Sequence, residues 1–318
     1  MILAMNARIT FTKQNSRQFT IKKVNSVVIE SSWRMLTDIA EIILPRNIAD
    51  FDNQKVKEVF EIGDKVLIEL GYNGILIKEF EGYITEVSAE IPVRISCQDE
   101  MWKLKQLPVN LSLKSTSLQN LLKAIAPMYN IVSIDIDIAA QRFPKTTAAK
   151  VLEKLKQNYS LYSYMIDGVL YCNLKSDREN LPIPIHLEKE VVQNNLIYKT
   201  TDERKVKIRI ISILKNGNKV EEIQGDEDGE EIQKTYYGIS NKKTLKKIAL
   251  AEYIRHKVNG FEGTIESFGT HIIHHGDAVF LKSDQYGERT GTNLVETVRV
   301  EFNDSPKYHR ILTLDESI

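Results

Sequence analysis

The residues best placed to do chemistry in this chain are His271, His274, His275 and Asp277, four titratable groups within seven positions. Imidazoles and a carboxylate this close are the donor set of a zinc site or the acid–base pair of a hydrolase. The spacing argues against both. Gly269 and Gly276 bracket the group and place it on a strand and turn, where His274 and His275 point to opposite faces. A polar loop is the reading adopted, and a hydrolase using the region from His271 to Asp277 stands as the rival.

The tract from Gly225 to Glu231 carries Asp226, Asp228 and Gly229 in a faint likeness of a calcium loop, but it lacks the other ligand positions and the closing Glu. It reads as a solvated hairpin tip. Asp135 and Asp137 alternate with Ile134, Ile136 and Ile138, as the wet face of a short strand does. Cys97 and Cys172 fall in strand-like stretches and read as buried free thiols, too few for a disulfide framework. No nucleophile elbow, phosphate-binding loop or dinucleotide fingerprint occurs, and Trp33, Trp102 and the tyrosines are scattered rather than set out as a stacking platform. The expectation is no catalytic residue, no metal and no cofactor.

Composition narrows the class further. Lys plus Arg and Asp plus Glu both total 43 in 318 residues, so no global field draws the chain to nucleic acid or an anionic membrane. No apolar run approaches the roughly 20 residues that span a bilayer. The short start, Met1 to Met5, lacks the charged region and apolar length of a signal peptide, so folding in a reducing cytoplasm is expected. A carbohydrate-binding tail or surface module would also be neutral and β-rich; it requires an exposed aromatic patch.

The elements that must position these residues are mostly strands. Val66, Ile68 and Leu70 alternate, as do Val93, Ile95 and Cys97, and Pro45 ends the run from Ile39 to Leu44. The polar stretch from Asp50 to Phe60 reads as a loop or one helical turn. The middle changes period. Ser117 caps a helix bearing Leu118, Leu121, Leu122 and Ile125, and Thr146 or Thr147 caps a second bearing Val151, Leu152 and Leu155. Asp167-Gly168 then predicts a tight hairpin, and Pro182 and Pro184 mark the end of this α+β module. From Lys205 the strand pattern returns. It is interrupted by the acidic tract and by a helix with Leu245, Ile248, Ala249 and Ile254 on one stripe and Gly260 just past its end.

One pattern occurs twice. Gly63, Asp64 and Val66 open an alternating strand that leads, through a Gly/Tyr/Asn loop, to a second strand from Tyr83. Gly276, Asp277 and Val279 open another that leads, through a similar loop, to a strand from Leu294. The first halves align at an offset of 276 − 63 = 213, and the second halves align once the loop length differs by two residues. Two related antiparallel β domains in one chain are expected, which doubles the rotational symmetry of any ring the chain forms. The fold class is therefore α+β, mainly β: a first β-barrel domain at 1–104, an α+β middle domain at 105–182, and a second β-barrel domain at 183–318 with a helix-containing insertion at about 217–260.

In this order the segments resemble phage baseplate hub proteins of the late-control protein D group. Gly63-Asp64-x-Val66, the run from Phe80 to Ile84 and the run from Ile95 to Asp99 are similar to that family's first tube domain. Thr147 to Leu155 followed by Tyr159 to Leu174 is similar to its middle domain. Ala251, Gly263 to Ile265, Gly276-Asp277-x-Val279 and Leu294 to Val298 are similar to its second tube domain. The resemblance, shared with the hub part of type VI secretion spikes, implies a homotrimer whose paired barrels form a pseudo-sixfold ring. Such a ring adapts a sixfold tail tube to a threefold spike, here a separate protein, with other baseplate proteins around it and DNA only in transit. It also implies assembly in a bacterial cytoplasm and a final place in a virion tail or injection machine.

Overall fold

The computed structural model describes residues 4–45, 59–89, 91–138, 140–159, 161–174, 181–214, 216–257, 259–287 and 289–317. The polar stretch before Phe60 lies almost wholly outside them. No helix among the described residues is long and apolar enough to cross a membrane.

The first part of the chain forms β1 (Met5–Thr12), β2 (Gln18–Ile21), β3 (Ser26–Ser32), β4 (Ile39–Ile43), β5 (Lys65–Tyr72), β6 (Ile75–Val87) and β7 (Arg94–Gln98). The middle follows with α1 (Trp102–Gln106), β8 (Pro108–Leu113), β9 (Thr116–Ser117), α2 (Leu118–Ile125), β10 (Asn130–Ser133), β11 (Asp137–Ile138), β12 (Gln141–Thr147), α3 (Ala148–Tyr159), β13 (Tyr162–Ile166) and β14 (Val169–Asn173). The last part holds β15 (Ile183–His186), β16 (Val191–Lys199), β17 (Val206–Ile213), β18 (Lys219–Gly225), β19 (Glu230–Tyr237), α4 (Lys242–His256), β20 (Gly260–Phe268), β21 (Ala278–Lys282), β22 (Gly291–Asn303) and β23 (Lys307–Ser317).

The protein is mainly β, but the expected pair of separate barrels is not what strand pairing builds. One 13-stranded sheet runs β16-β20-β23-β22-β3-β4-β7-β6-β5-β1-β2, with β21 beside β22 and β15 beside β21, and no ring of pairing closes among the described residues. The reason is β22. At 13 residues it is long enough to pair with β21 near its start and with β3 from Thr297 to Asn303, while β23 lies along its other side. Both halves consequently share one apolar core, from Ile9, Ile42, Ile68 and Ile95 to Ile265, Val279, Val300 and Leu312.

A second core gathers Leu118, Leu121, Leu122 and Ile125 of α2 with Val151, Leu152 and Leu155 of α3. Ser117 Oγ accepts from Asn120 N at 3.2 Å and Thr147 Oγ1 from Lys150 N at 3.4 Å, so both helices start at hydroxyl caps. Asp167 and Gly168 take φ of 48° and 78°, joining β13 to β14 as a primed turn requires. Pro184 lies within β15, a sheet edge where a missing N–H costs no ladder bond.

A third core, Val206, Ile208 and Ile210 against Leu245 and Ala249, belongs to a small sheet ordered β18-β17-β19 and covered by α4. Three expectations fail here. The acidic tract is no hairpin tip, because β18 and β19 flank β17 rather than each other, and the tract crosses the end of β17. Asp226 anchors that crossing: its Oδ2 accepts from Val206 N and from Lys257 Nζ, both at 2.9 Å, and Lys257 holds the carboxyl below its usual range. Ile254 leaves the buried stripe and is 61% exposed, and Gly260 opens β20 instead of capping the helix.

Where the halves meet, Arg310 Nη2 bonds Glu79 Oε1 at 2.6 Å, with side chains only 2% and 4% exposed. Tyr308 donates to the same oxygen at 2.5 Å, and Tyr72 donates to the Tyr308 carbonyl at 2.6 Å. Burial and the Glu79 charge push the Tyr308 hydroxyl up, which keeps it a donor. Removing one partner leaves a buried charge alone, so Glu79→Ala is expected to cost about 3–5 kcal/mol in denaturant unfolding, while Glu79→Met with Arg310→Met recovers most of it. Cys97 and Cys172 are free and buried, and burial raises both thiols, Cys172 to about 11. Neither is expected to react with a maleimide at neutral pH until the protein is unfolded; stoichiometric labelling of the native chain would contradict this packing.

Candidate functional site

The histidine cluster resolves into a backbone corner. His271, His274 and His275 lie in the connection from β20 to β21, not on a strand; His274 is exposed and His275 is buried. The Asp277 carboxylate accepts the His274 main-chain N–H at 2.8 Å. His271 Nε2 lies 3.8 Å from Glu190 Oε1, and the His275 ring stands edge-on to Tyr164 at 5.4 Å. His271 and His275 thus meet different neighbours, and among the described residues these imidazoles do not form a group whose ligand atoms converge.

The corner at Gly276 and the corner at Gly63 make the same bonds. Gly63 N donates to Ile84 O at 2.8 Å and Ile84 N to Asp64 O at 2.9 Å; Gly276 N donates to Val295 O at 2.8 Å and Val295 N to Asp277 O at 2.9 Å. Asp64 N donates to Glu61 O at 3.1 Å, and Asp277 N to His274 O at 3.2 Å. In return Asp64 Oδ2 accepts from Glu61 N at 3.0 Å, as Asp277 Oδ2 does from His274 N. Both glycines have positive φ, 92° and 82°, the region where a Cβ is penalised. Asp64 and Asp277 are 0% and 4% exposed, and Val66 and Val279 are wholly buried. Burial pushes the Asp64 carboxyl up, against the pull of the Glu61 amide and Lys13.

The likeness extends into the sheet. Ile84 and Val295 each precede a bulge, between Ile84 and Glu86 in one case and Val295 and Thr297 in the other. Beyond it Val87 faces Ile95, and Val298 faces Leu312. Ile95 then faces Ile42 of β4, and Leu312 faces Ile265 of β20. Strand order is β3-β4-β7-β6-β5-β1 on one side and β16-β20-β23-β22-β21-β15 on the other. The outermost pairs differ: β1 is antiparallel to β5, whereas β15 is parallel to β21.

Two other places could hold chemistry. His186, Glu188 and Asp284 converge, with His186 Nδ1 3.6 Å from Glu188 and Nε2 3.5 Å from Asp284. Sequence reading missed this trio because long-range β15–β21 pairing assembles it, and no local spacing announces it. Glu188 is occupied by the Ser283 hydroxyl and the Asp284 N–H, which hold it at about 2, and Lys189 lies 3.0 Å from Asp284. The trio reads as a latch between two loops. A cavity of about 860 Å³ lies by Trp33, Lys199, Arg204 and Lys234. Its cations are committed: Arg204 to Glu262 at 2.9 Å, Lys199 to Glu262 at 2.6 Å and Lys234 to Glu252 at 2.6 Å.

Gly63→Ala and Gly276→Ala should each lower stability by about 1–2 kcal/mol through left-handed strain, and Asp64→Ala and Asp277→Ala by a similar amount through a lost buried bond to the backbone. Thermal unfolding measures all four; an effect at one corner and none at the other would show that the corners carry different loads.

No protein-family model matches the chain, and no curated protein is similar to it in sequence. Solved structures do match. A tail protein of Neisseria meningitidis shares 14% identity at a TM-score of 0.64, covering 98% of this chain and 97% of that one. The 43 kDa tail protein of prophage MuSo2 from Shewanella oneidensis shares 11% identity at 0.63, covering 98% of each. A component of the E. coli type VI secretion system shares 10% identity at 0.55, covering 92% of this chain and 73% of that protein. Over nearly its full length the chain has the fold of phage tail proteins and of type VI secretion hub-like proteins.

Proposed function

We propose that this chain is a structural hub of a phage-type tail or contractile injection system, not an enzyme. The supporting observation is the doubled corner: two Gly-Asp turns with the same bonds, each followed by a bulge, set in strands of the same order. One polypeptide thus carries two like β units, joined through β22. Three copies would present six like rims to a sixfold tail tube while keeping threefold symmetry toward a separate spike.

In this reading the units at 1–104 and 183–318 form the two tube-like rims and line the pore. The module at 105–182 and the helix-containing insertion at about 217–260 face outward toward other baseplate proteins. Gly63, Asp64, Val66, Gly276, Asp277 and Val279 are the matched corners that give both rims one shape. Zero net charge suits a pore that DNA crosses without being held, since each lysine or arginine on a phosphate path adds salt-dependent affinity.

The test is electron microscopy of the chain co-produced with the tube and spike proteins of the same particle. A threefold ring with six similar rims, seated between tube and spike, is expected. A particle with the chain outside the axis, or in a number not divisible by three, would overturn the proposal.

A further inference from the structure

The strand registers relate not only the corners but also the outer edges. Val27 of β3 faces Ile42, and Asn194 of β16 faces Ile265, so β3 and β16 hold the same place in their halves. Their surroundings differ. β22 covers the second side of β3 along seven pairs, from Thr297 opposite Ser32 to Asn303 opposite Ser26, and Val27 and Ile29 are buried. Among the described residues no strand lies on the second side of β16, the first in the sheet order. Val192 to Asn195 are exposed there, and Ile197 is 60% exposed. From Val191 to Tyr198 the strand has no charged residue and no proline, the usual guards of an open edge.

The same registers say what would fit. The strand in the place of β22 is β6, and matching Val295 with Ile84 sets Glu86 in the place of Thr297 and Val87 in that of Val298. On the β5 side of β6, pairing ends at Tyr83 and the Gly63 corner covers Ile84, which leaves Glu86 and Val87 open there. Thr297 faces Ser32 and Val298 faces Ser31; the matching places on β16 are Lys199 and Tyr198. A β6 laid beside β16 would put Glu86 opposite Lys199 and Val87 opposite Tyr198, an opposite-charge pair and an apolar pair. Lys199 already bonds Glu262 at 2.6 Å, so Glu86 would share it.

We infer that the open edge of β16 is the docking edge for a second copy of this chain, which adds the C-terminal end of its β6 there as β22 lies beside β3. This rests on the ring reading and names the contact that closes the ring. The two seams are unequal. The β22–β23 hairpin carries five further pairs, from Arg299–Ile311 to Asn303–Lys307, whereas β6 ends at Val87 and Ser88 N turns back to Arg94 O at 2.8 Å. The seam between copies is shorter than the seam within one, so copies associate at high concentration or on a template and separate on dilution.

The test is a Glu86→Cys, Lys199→Cys double variant, oxidised and run on a denaturing gel beside each single variant. Directly opposed residues on antiparallel strands lie about 4.5–5.5 Å apart at Cα, within reach of a disulfide. Cys97 and Cys172 are buried and do not compete. Linked dimers and trimers in the double variant only are expected, increasing with concentration. If the unmodified chain sediments as a trimer while the double variant stays unlinked, the edge assignment is overturned and the ring reading survives. If the chain stays monomeric and unlinked both at its highest soluble concentration and when co-produced with the tube and spike proteins, both fall.

Discussion

The architecture depends on one strand serving two ladders. β22 is bonded to β23 along one side and passes from β21 to β3 along the other, so the two β units cannot separate without breaking a continuous sheet. Cross-strand pairs contribute roughly 0.2–1 kcal/mol each, and seven of them along β22–β3 form a cooperative joint rather than a loose contact. The buried Glu79–Arg310 pair lies near this joint and adds orientation more than net stability, because desolvating two charges offsets much of their attraction. Glu79 is on β6 and Arg310 on β23, so the pair ties the halves a second time by a geometry that tolerates little sliding.

A rigid joint between like units is also what turns titratable residues into scaffold. Asp64 and Asp277 are buried carboxylates, the kind of group that invites a catalytic reading. Each instead folds back onto the amide three residues earlier and fixes the direction in which the next strand leaves. A corner held by its own backbone needs neither a ligand nor a partner, and it can recur wherever the same turn is wanted. The recurrence at Gly63 and Gly276, not the histidines between β20 and β21, makes this region informative about function.

The third core plays a different part. Its sheet packs under α4 and touches the middle module through Tyr237, whose hydroxyl donates to the Tyr159 carbonyl at 3.0 Å. Asp226 stabilises the crossing at its end through Lys257 and Val206, so the acidic tract is a tie across the small sheet and not a free tip.

What the sequence determined by itself is local. Caps at Ser117 and Thr147, the Asp167-Gly168 turn and the period-two runs in β5 and β7 were legible because each depends on residues a few positions apart. So was the Gly-Asp pattern as a pattern. Tertiary structure alone decided what depends on distant partners: that β22 reaches β3 and merges two expected barrels into one sheet, that β17 separates β18 from β19, and that His186 meets Asp284. Alternation tells which face of a strand is buried and nothing about which strand lies alongside, since every strand offers the same N–H and C=O groups to any neighbour. The choice among neighbours is made by the shape of the shared core, which exists only once the chain has folded.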